Sequence, residues 1–221
     1  MAKKILVTCA HPDDESLGMG GSLLLHSKNK DEIFVLVFTD GELSRGSSQK
    51  NVKKRQEQAL NAFSILGIKK SHFLNYEDQK LDIISTVQLA QDIEKIISKW
   101  NPDTVYTHYY GDLNQDHKKV FEATAIATRP TPNSKIRDLI CFETPSSTEW
   151  NVSKNKFNPN LFTDIESVID KKLKAISCYK KEINPSPHPR SLDSIKNRSK
   201  YWGSNVGLKY AEAFHVIRQI K

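Results

Sequence analysis

The chain of 221 residues contains only three cysteines, Cys9, Cys141 and Cys178, an odd number and too widely spaced for a disulfide framework or a zinc ribbon. It also lacks any apolar run near the ~20 residues that a membrane helix needs. Lys3-Lys4 ahead of Ile5–Ala10 is basic and then apolar, but the run is too short for a signal-peptide core, and Asp13-Asp14-Glu15 follows at once. A cytoplasmic protein is expected. There is no helix-turn-helix or zinc-finger spacing, and no arginine-rich stripe with interleaved aromatics. The net charge of +7 therefore does not argue for nucleic acid; a small anionic substrate accounts for it as well. No G-x-G-x-x-G follows the first apolar run, which counts against a plain dinucleotide site. No repeat, low-complexity block or linker divides the sequence, and its length suits one domain, 1–221.

What the sequence does contain is alternation. Ile5–Ala10 and Glu32–Thr39 read as strands buried on both faces, and Phe73–Tyr76, Thr104–Thr107 and Leu139–Phe142 as further strands. Helical spacing falls between them, at Ser16–Ser27, Asn51–Leu66 with Gly67 as its stop, Thr86–Trp100 and Lys118–Thr128. Two more helices are expected at Lys171–Lys181 and Ser191–Tyr201, and residues 145–165 read as irregular. Strands alternating with helices predict parallel βαβ units with helices on both faces of the sheet. Ligands of such a sheet bind beyond the carboxyl ends of the strands. His11–Glu15, Asp40-Gly41-Glu42 and His108–His117 follow strand ends and should share one crevice.

Those loops hold the densest clusters of metal-type ligands. His11 and Asp14, three apart across a turn, can converge on one ion, leaving Asp13 to take a proton from bound water. An acidic run here can equally be a helix cap. The second cluster tips the balance, with His108, Asp112, Asn114, Asp116 and His117 inside ten residues. His117 opens a helix, whose positive end favours the neutral imidazole that a metal needs.

Ala10–Glu15 (AHPDDE) with Asp112–His117 (DLNQDH) resembles the LmbE-like, or PIG-L, family of N-deacetylases. Phe38–Glu42, the pair Arg55 and Glu57 with Leu66-Gly67, Pro189-Arg190-Ser191 and Tyr210–Phe214 extend the likeness over most of the chain. The resemblance implies a Rossmann-like α/β sheet and one zinc, or another divalent transition metal, on His11, Asp14 and His117. It also implies Asp13 as general base and an N-acetylated amino sugar as substrate. A sugar nucleotide or a soluble glycoconjugate is expected. One departure stands out: several members carry a histidine where this chain has Asn114. Asn114 can donate to an oxyanion but cannot act as an acid, so His188 is the candidate for that role, from its own chain or a neighbour in a homo-oligomer. Asp40, Arg55, His108, Asp112 and Arg190 are expected to grip the substrate, and Asp112 or Asp116 to orient a ligand. For Arg55 and Glu57 an exposed helical charge pattern is the plain alternative. Two rivals remain: a magnesium phosphohydrolase, which two imidazoles disfavour, and a non-catalytic sugar- or nucleotide-binding protein.

Overall fold

A computed structural model describes residues 2–46, 48–152 and 154–221. Seven strands, β1 (Lys4–Cys9), β2 (Glu32–Thr39), β3 (Lys70–Tyr76), β4 (Thr104–His108), β5 (Asp138–Phe142), β6 (Leu161–Asp164) and β7 (Ala211–Gln219), form one sheet in the order β3-β2-β1-β4-β5-β7-β6. Strands β1 to β5 are parallel, and β7 runs antiparallel to β5 and β6. The helices are α1 (Asp14–Lys28), α2 (Gln49–Leu66), α3 (Thr86–Trp100), α4 (Gln115–Ala127), α5 (Ile169–Ile176) and α6 (Leu192–Ser204).

The strand period of two divides β1 between two cores. Ile5, Val7 and Cys9 pack with Leu23 of α1, Phe63 and Leu66 of α2 and Ala175 of α5. Leu6 packs on the other face with Leu36, with Leu89 and Ile93 of α3, and with Val120 and Ala123 of α4. Burial on both faces is why β1 and β2 read as continuous apolar runs. Gly67 ends α2 with φ 79°, a left-handed conformation that favours glycine. No helix among the described residues is long and apolar enough to cross a membrane.

Two expectations change, and one strand had no expectation at all. The helix expected over Lys171–Lys181 stops at Ile176, and the chain turns so that Tyr179 Oη donates to Glu15 Oε1 at 2.7 Å. The region read as irregular contains β6, an edge strand of four residues, too short for a period signal. Residues 211–219 form β7, whose strand pattern is masked by a buried acid, Glu212.

Glu212 has a mechanical task in α1. That helix breaks at Met19 (φ −146°), and the freed N–H groups of Gly21 and Ser22 each donate to the Glu212 carboxylate at 2.7 Å. Lys172 Nζ completes the shell at 2.7 Å. Gly18, one residue before the break, lies so close to β5 that a Cβ there would sit 2.7 Å from the Glu143 carbonyl oxygen. Together these fix the helix whose first turn carries Asp14.

Candidate metal centre

The turn after β1 and the first turn of α4 meet at the carboxyl edge of the sheet. His11 N–H donates to Asp14 Oδ2 at 2.7 Å, which folds the turn so that both side chains point inward. His11 Nδ1 lies 3.1 Å from His117 Nε2 and 3.3 Å from Asp14 Oδ2, and His117 Nε2 lies 3.5 Å from Asp14 Oδ1. One ligand atom from each of these residues falls within 4.8 Å of the others. Asp14 and His117 are fully buried and His11 is 9% exposed. Asp14 Oδ1 is buried with no hydrogen-bond partner. Two imidazoles and a carboxylate converging in this way could hold a zinc ion with a position to spare.

The outward nitrogens of both rings are backed by acids, as expected around metal-bound histidines. Asp112 Oδ1 is 3.1 Å from His117 Nδ1, close but off the line of a hydrogen bond. His11 Nε2 meets Asp78 Oδ1 at 3.1 Å and Asp116 Oδ2 at 3.3 Å. Asp112 is fixed by Ser147 Oγ, Thr148 Oγ1 and the Asn114 N–H. Asp116 is fixed by the N–H groups of Gln79 and Leu81.

These charges correct one expectation. Burial alone would lower the His117 pKa, but Asp112 and Asp14 outweigh it and push it up to about 9, so the helix dipole does not keep this ring neutral. His11 is likewise raised, Asp116, Asp14 and Asp78 overcoming its burial. For Asp14, burial is overcome by the neighbouring histidines, and its carboxyl stays well below the ordinary range. His108 goes the other way, lowered to about 4 by burial and by His117.

His108 and Asp112, expected at the substrate, both pack against His117. Both are fully buried. His108 stacks on His117 with ring centroids 3.9 Å apart, and its Nε2 accepts the Ala10 N–H, so it serves as a neutral floor. Asp40 is also buried, and its Oδ1 accepts the N–H groups of Glu42 and Leu43, closing the turn after β2.

Asp13 stands beside the ligands in an unusual backbone state, φ 139° and ψ −22°. Its N–H donates to Glu15 Oε2 at 3.2 Å. Glu15 is pushed up to about 7 by burial. Arg55 Nη2 and Arg190 Nη1 reach Asp13 Oδ2 at 3.0 and 3.2 Å. Both guanidinium groups, expected at the substrate, thus contact Asp13, and Arg55 is 2% exposed rather than part of a solvated helix face; Glu57 is exposed. Burial raises the Asp13 carboxyl above its ordinary value, although both arginines oppose the shift.

The first turn of α4 and the loop ahead of α6 complete the surroundings. Asn114 caps α4, its Oδ1 accepting the Asp116 N–H at 2.8 Å. His188 is half-buried, its ring edge-on to Trp150 at 6.3 Å and its Nδ1 accepting the Arg190 N–H at 3.0 Å.

Residues 6–128 match the family described as PIG-L, GlcNAc-PI de-N-acetylase. The chain belongs to this family. It is 26% identical to the diacetylchitobiose deacetylase of Thermococcus kodakarensis, over 97% of this chain and 83% of the relative. It is also 30% identical to the 4-oxalmesaconate hydratase of Pseudomonas putida, over 80% of this chain and 72% of the relative. The solved N,N'-diacetylchitobiose deacetylase of Pyrococcus horikoshii superposes with a TM-score of 0.78 at 24% identity, covering 98% of this chain and 84% of that one. The PIG-L segment runs from β1 to the end of α4, and so includes His11, Asp13, Asp14, Arg55, Asp112 and His117. Arg190 lies beyond it, as does Glu182, whose carboxylate meets Arg55 Nη1 at 2.8 Å and Arg190 Nη1 at 3.2 Å.

Sequence reasoning missed Asp78 and Glu182. Asp78 follows the end of β3, so the crevice rule pointed to it, but a lone acid in a polar loop gives no ligand signal. Glu182 carries no such positional cue. A hollow of about 360 Å³ lined by Lys30, Lys70 and Trp100 lies at the opposite, amino ends of the strands and contains none of these groups.

Proposed function

We propose that the protein is a zinc-dependent N-deacetylase acting on an amino-sugar substrate, a sugar nucleotide or another glycoconjugate. The observation that carries this reading is the meeting of His11, Asp14 and His117 beside an Asp13 whose Oδ1 is buried without a partner. Bound there, zinc supplies a water of lowered pKa and polarises the acyl carbonyl. Asp13 Oδ1 accepts the water's proton and returns it to the departing amine. Asn114 has spent its oxygen on the helix cap, which leaves its Nδ2 as a donor to the oxyanion. His188 has its Nδ1 occupied as an acceptor, which puts the proton of the neutral ring on Nε2. It therefore suits a second oxyanion donor rather than an acid.

The test is acetate release from a panel of N-acetylglucosamine glycosides and nucleotide sugars, with the protein stripped of metal and then reloaded with zinc. Turnover that vanishes on stripping and returns with zinc supports the reading; zinc-loaded protein that releases no acetate from any of them opposes it. The hydratase relative favours a second reading, water addition to a carbon–carbon double bond, which would consume a conjugated substrate without producing acetate. A magnesium phosphohydrolase fits less well, because such sites use oxygen ligands.

Two further results are expected. His11 and His117 face each other nitrogen to nitrogen at 3.1 Å, so one proton fits between them, and zinc must displace it. With His117 raised to about 9, zinc affinity should climb with pH from neutrality to that value and level off above it. Calorimetry in buffers of different ionisation enthalpy should find about one proton released per ion near pH 7.5; proton-neutral binding would contradict the ligand assignment. His188→Ala should lower kcat roughly 10- to 100-fold at unchanged zinc content, and an unchanged kcat removes His188 from the chemistry.

A further inference from the structure

Asp13 is gripped on one oxygen only. Arg55 and Arg190 both reach its Oδ2, while its Oδ1 is buried without a hydrogen-bond partner. That asymmetry runs against the habit of guanidinium groups, which take carboxylates through two parallel bonds and so cover both oxygens. A second carboxylate lies against both arginines. Glu182 places Oε1 2.8 Å from Arg55 Nη1 and Oε2 3.2 Å from Arg190 Nη1. Arg55 therefore turns one nitrogen to Asp13 and the other to Glu182, the second contact an ion pair off the line of a hydrogen bond. Arg190 divides Nη1 between the two acids, while its Nε is drawn to Ser146 Oγ at 2.7 Å and the Pro145 carbonyl at 3.3 Å.

Asp13, Arg55, Glu182 and Arg190 thus close a ring of two negative and two positive charges, with Glu182 6% exposed and Arg55 2%. The four residues come from the turn after β1, from α2, from the turn after α5 and from the loop ahead of α6. No single element sets the ring, and Glu182 is the member that touches both cations without touching Asp13.

We infer that Glu182 is a positioning residue for the deacetylation proposed above, holding Arg55 and Arg190 to the Oδ2 side of Asp13 so that Oδ1 stays open to the water's proton. Without it, two guanidinium groups would share one carboxylate and close over Oδ1. The inference rests on the deacetylase reading for its consequence, but its structural half stands apart from activity.

The test compares wild-type protein with Glu182→Gln, which keeps the shape and loses the charge, and with Glu182→Asp, which keeps the charge and retracts it. Crystal structures of Glu182→Gln are expected to show a guanidinium nitrogen moved onto Asp13 Oδ1, with zinc still bound. In acetate release, kcat should fall roughly 10- to 100-fold with KM within about twofold of wild type, the cost of an ångström-scale misplacement of a reacting group. Glu182→Asp should recover part of kcat, and it carries both readouts alone if Glu182→Gln does not fold. A Glu182→Gln structure with both arginines unmoved, a full kcat, or a loss seen in KM alone would overturn the inference. If wild-type protein releases no acetate while the arginine still moves onto Oδ1, the deacetylase reading falls and the positioning of Asp13 by Glu182 stands.

Discussion

In the zinc-dependent deacetylation proposed above, Asp13→Asn is expected to lower kcat by roughly 10²- to 10⁴-fold, the usual contribution of a positioned general base, with zinc content unchanged. The amide has the shape of the carboxylate but cannot accept a proton. None of the three proposed ligands, His11, Asp14 and His117, changes, so metal content should hold. Burial lifts the Asp13 carboxyl, which makes it a stronger base, and Arg55 and Arg190 oppose that shift. The residue also sits at φ 139°, a conformation that costs on the order of 1–3 kcal/mol for a side chain with a Cβ. Contacts to Glu15, Arg55 and Arg190 accompany that conformation, which places an acid where a relaxed turn would prefer glycine. Steady-state kinetics with zinc measured by elemental mass spectrometry checks the result. A variant that turns over within about threefold of wild type is far from the loss of a general base and would sink the assignment.

The largest loss of stability is expected from Glu212→Ala, about 3–5 kcal/mol, because it strips the partner from a buried lysine. Lys172, 3% exposed, would be left without its partner, and the N–H groups of Gly21 and Ser22 would lose their acceptor at the break in α1. For a chain of this size, that corresponds to a fall in Tm of roughly 6–20 °C. Glu212→Gln should cost less, since its carbonyl oxygen can still accept from the helix. Adding Lys172→Met to Glu212→Gln should recover part of the loss, because the unpaired charge goes with it. Denaturant midpoints of the single and double variants measure this. A Glu212→Ala loss below about 1 kcal/mol would mean that the pair and the cap contribute little. Since α1 carries Asp14 in its first turn, zinc affinity should weaken along with stability.

Legibility followed the range of the forces involved. Strands buried on both faces carry continuous apolar runs, and amphipathic helices carry a stripe, so the parallel α/β sheet could be read from spacing. The sheet's crevice rule then singled out the loops after β1 and β4. His11, Asp13, Asp14 and His117 were visible because each sits at a strand end or the first turn of a helix. The same rule reached His108 and Asp112 but not the direction of their side chains. In a ten-residue loop, packing of Thr144, Ser147 and Thr148 against Asp112 and His108 decides which groups turn inward. The partners of Arg55, Asp13 in one direction and Glu182 in the other, come from distant parts of the chain, and helical spacing holds no trace of either.

The sequence by itself determined the alternation of strands and helices, the edge of the sheet where chemistry gathers and the residue types able to bind a metal there. These depend on local periodicity and on a topology that alternation nearly dictates. Only the tertiary structure decided that His117 is backed by Asp112 and His11 by Asp78 and Asp116, and that Glu182 faces both arginines. Charge interactions act over a few ångströms in space, whatever the separation along the chain, and burial amplifies them by removing water.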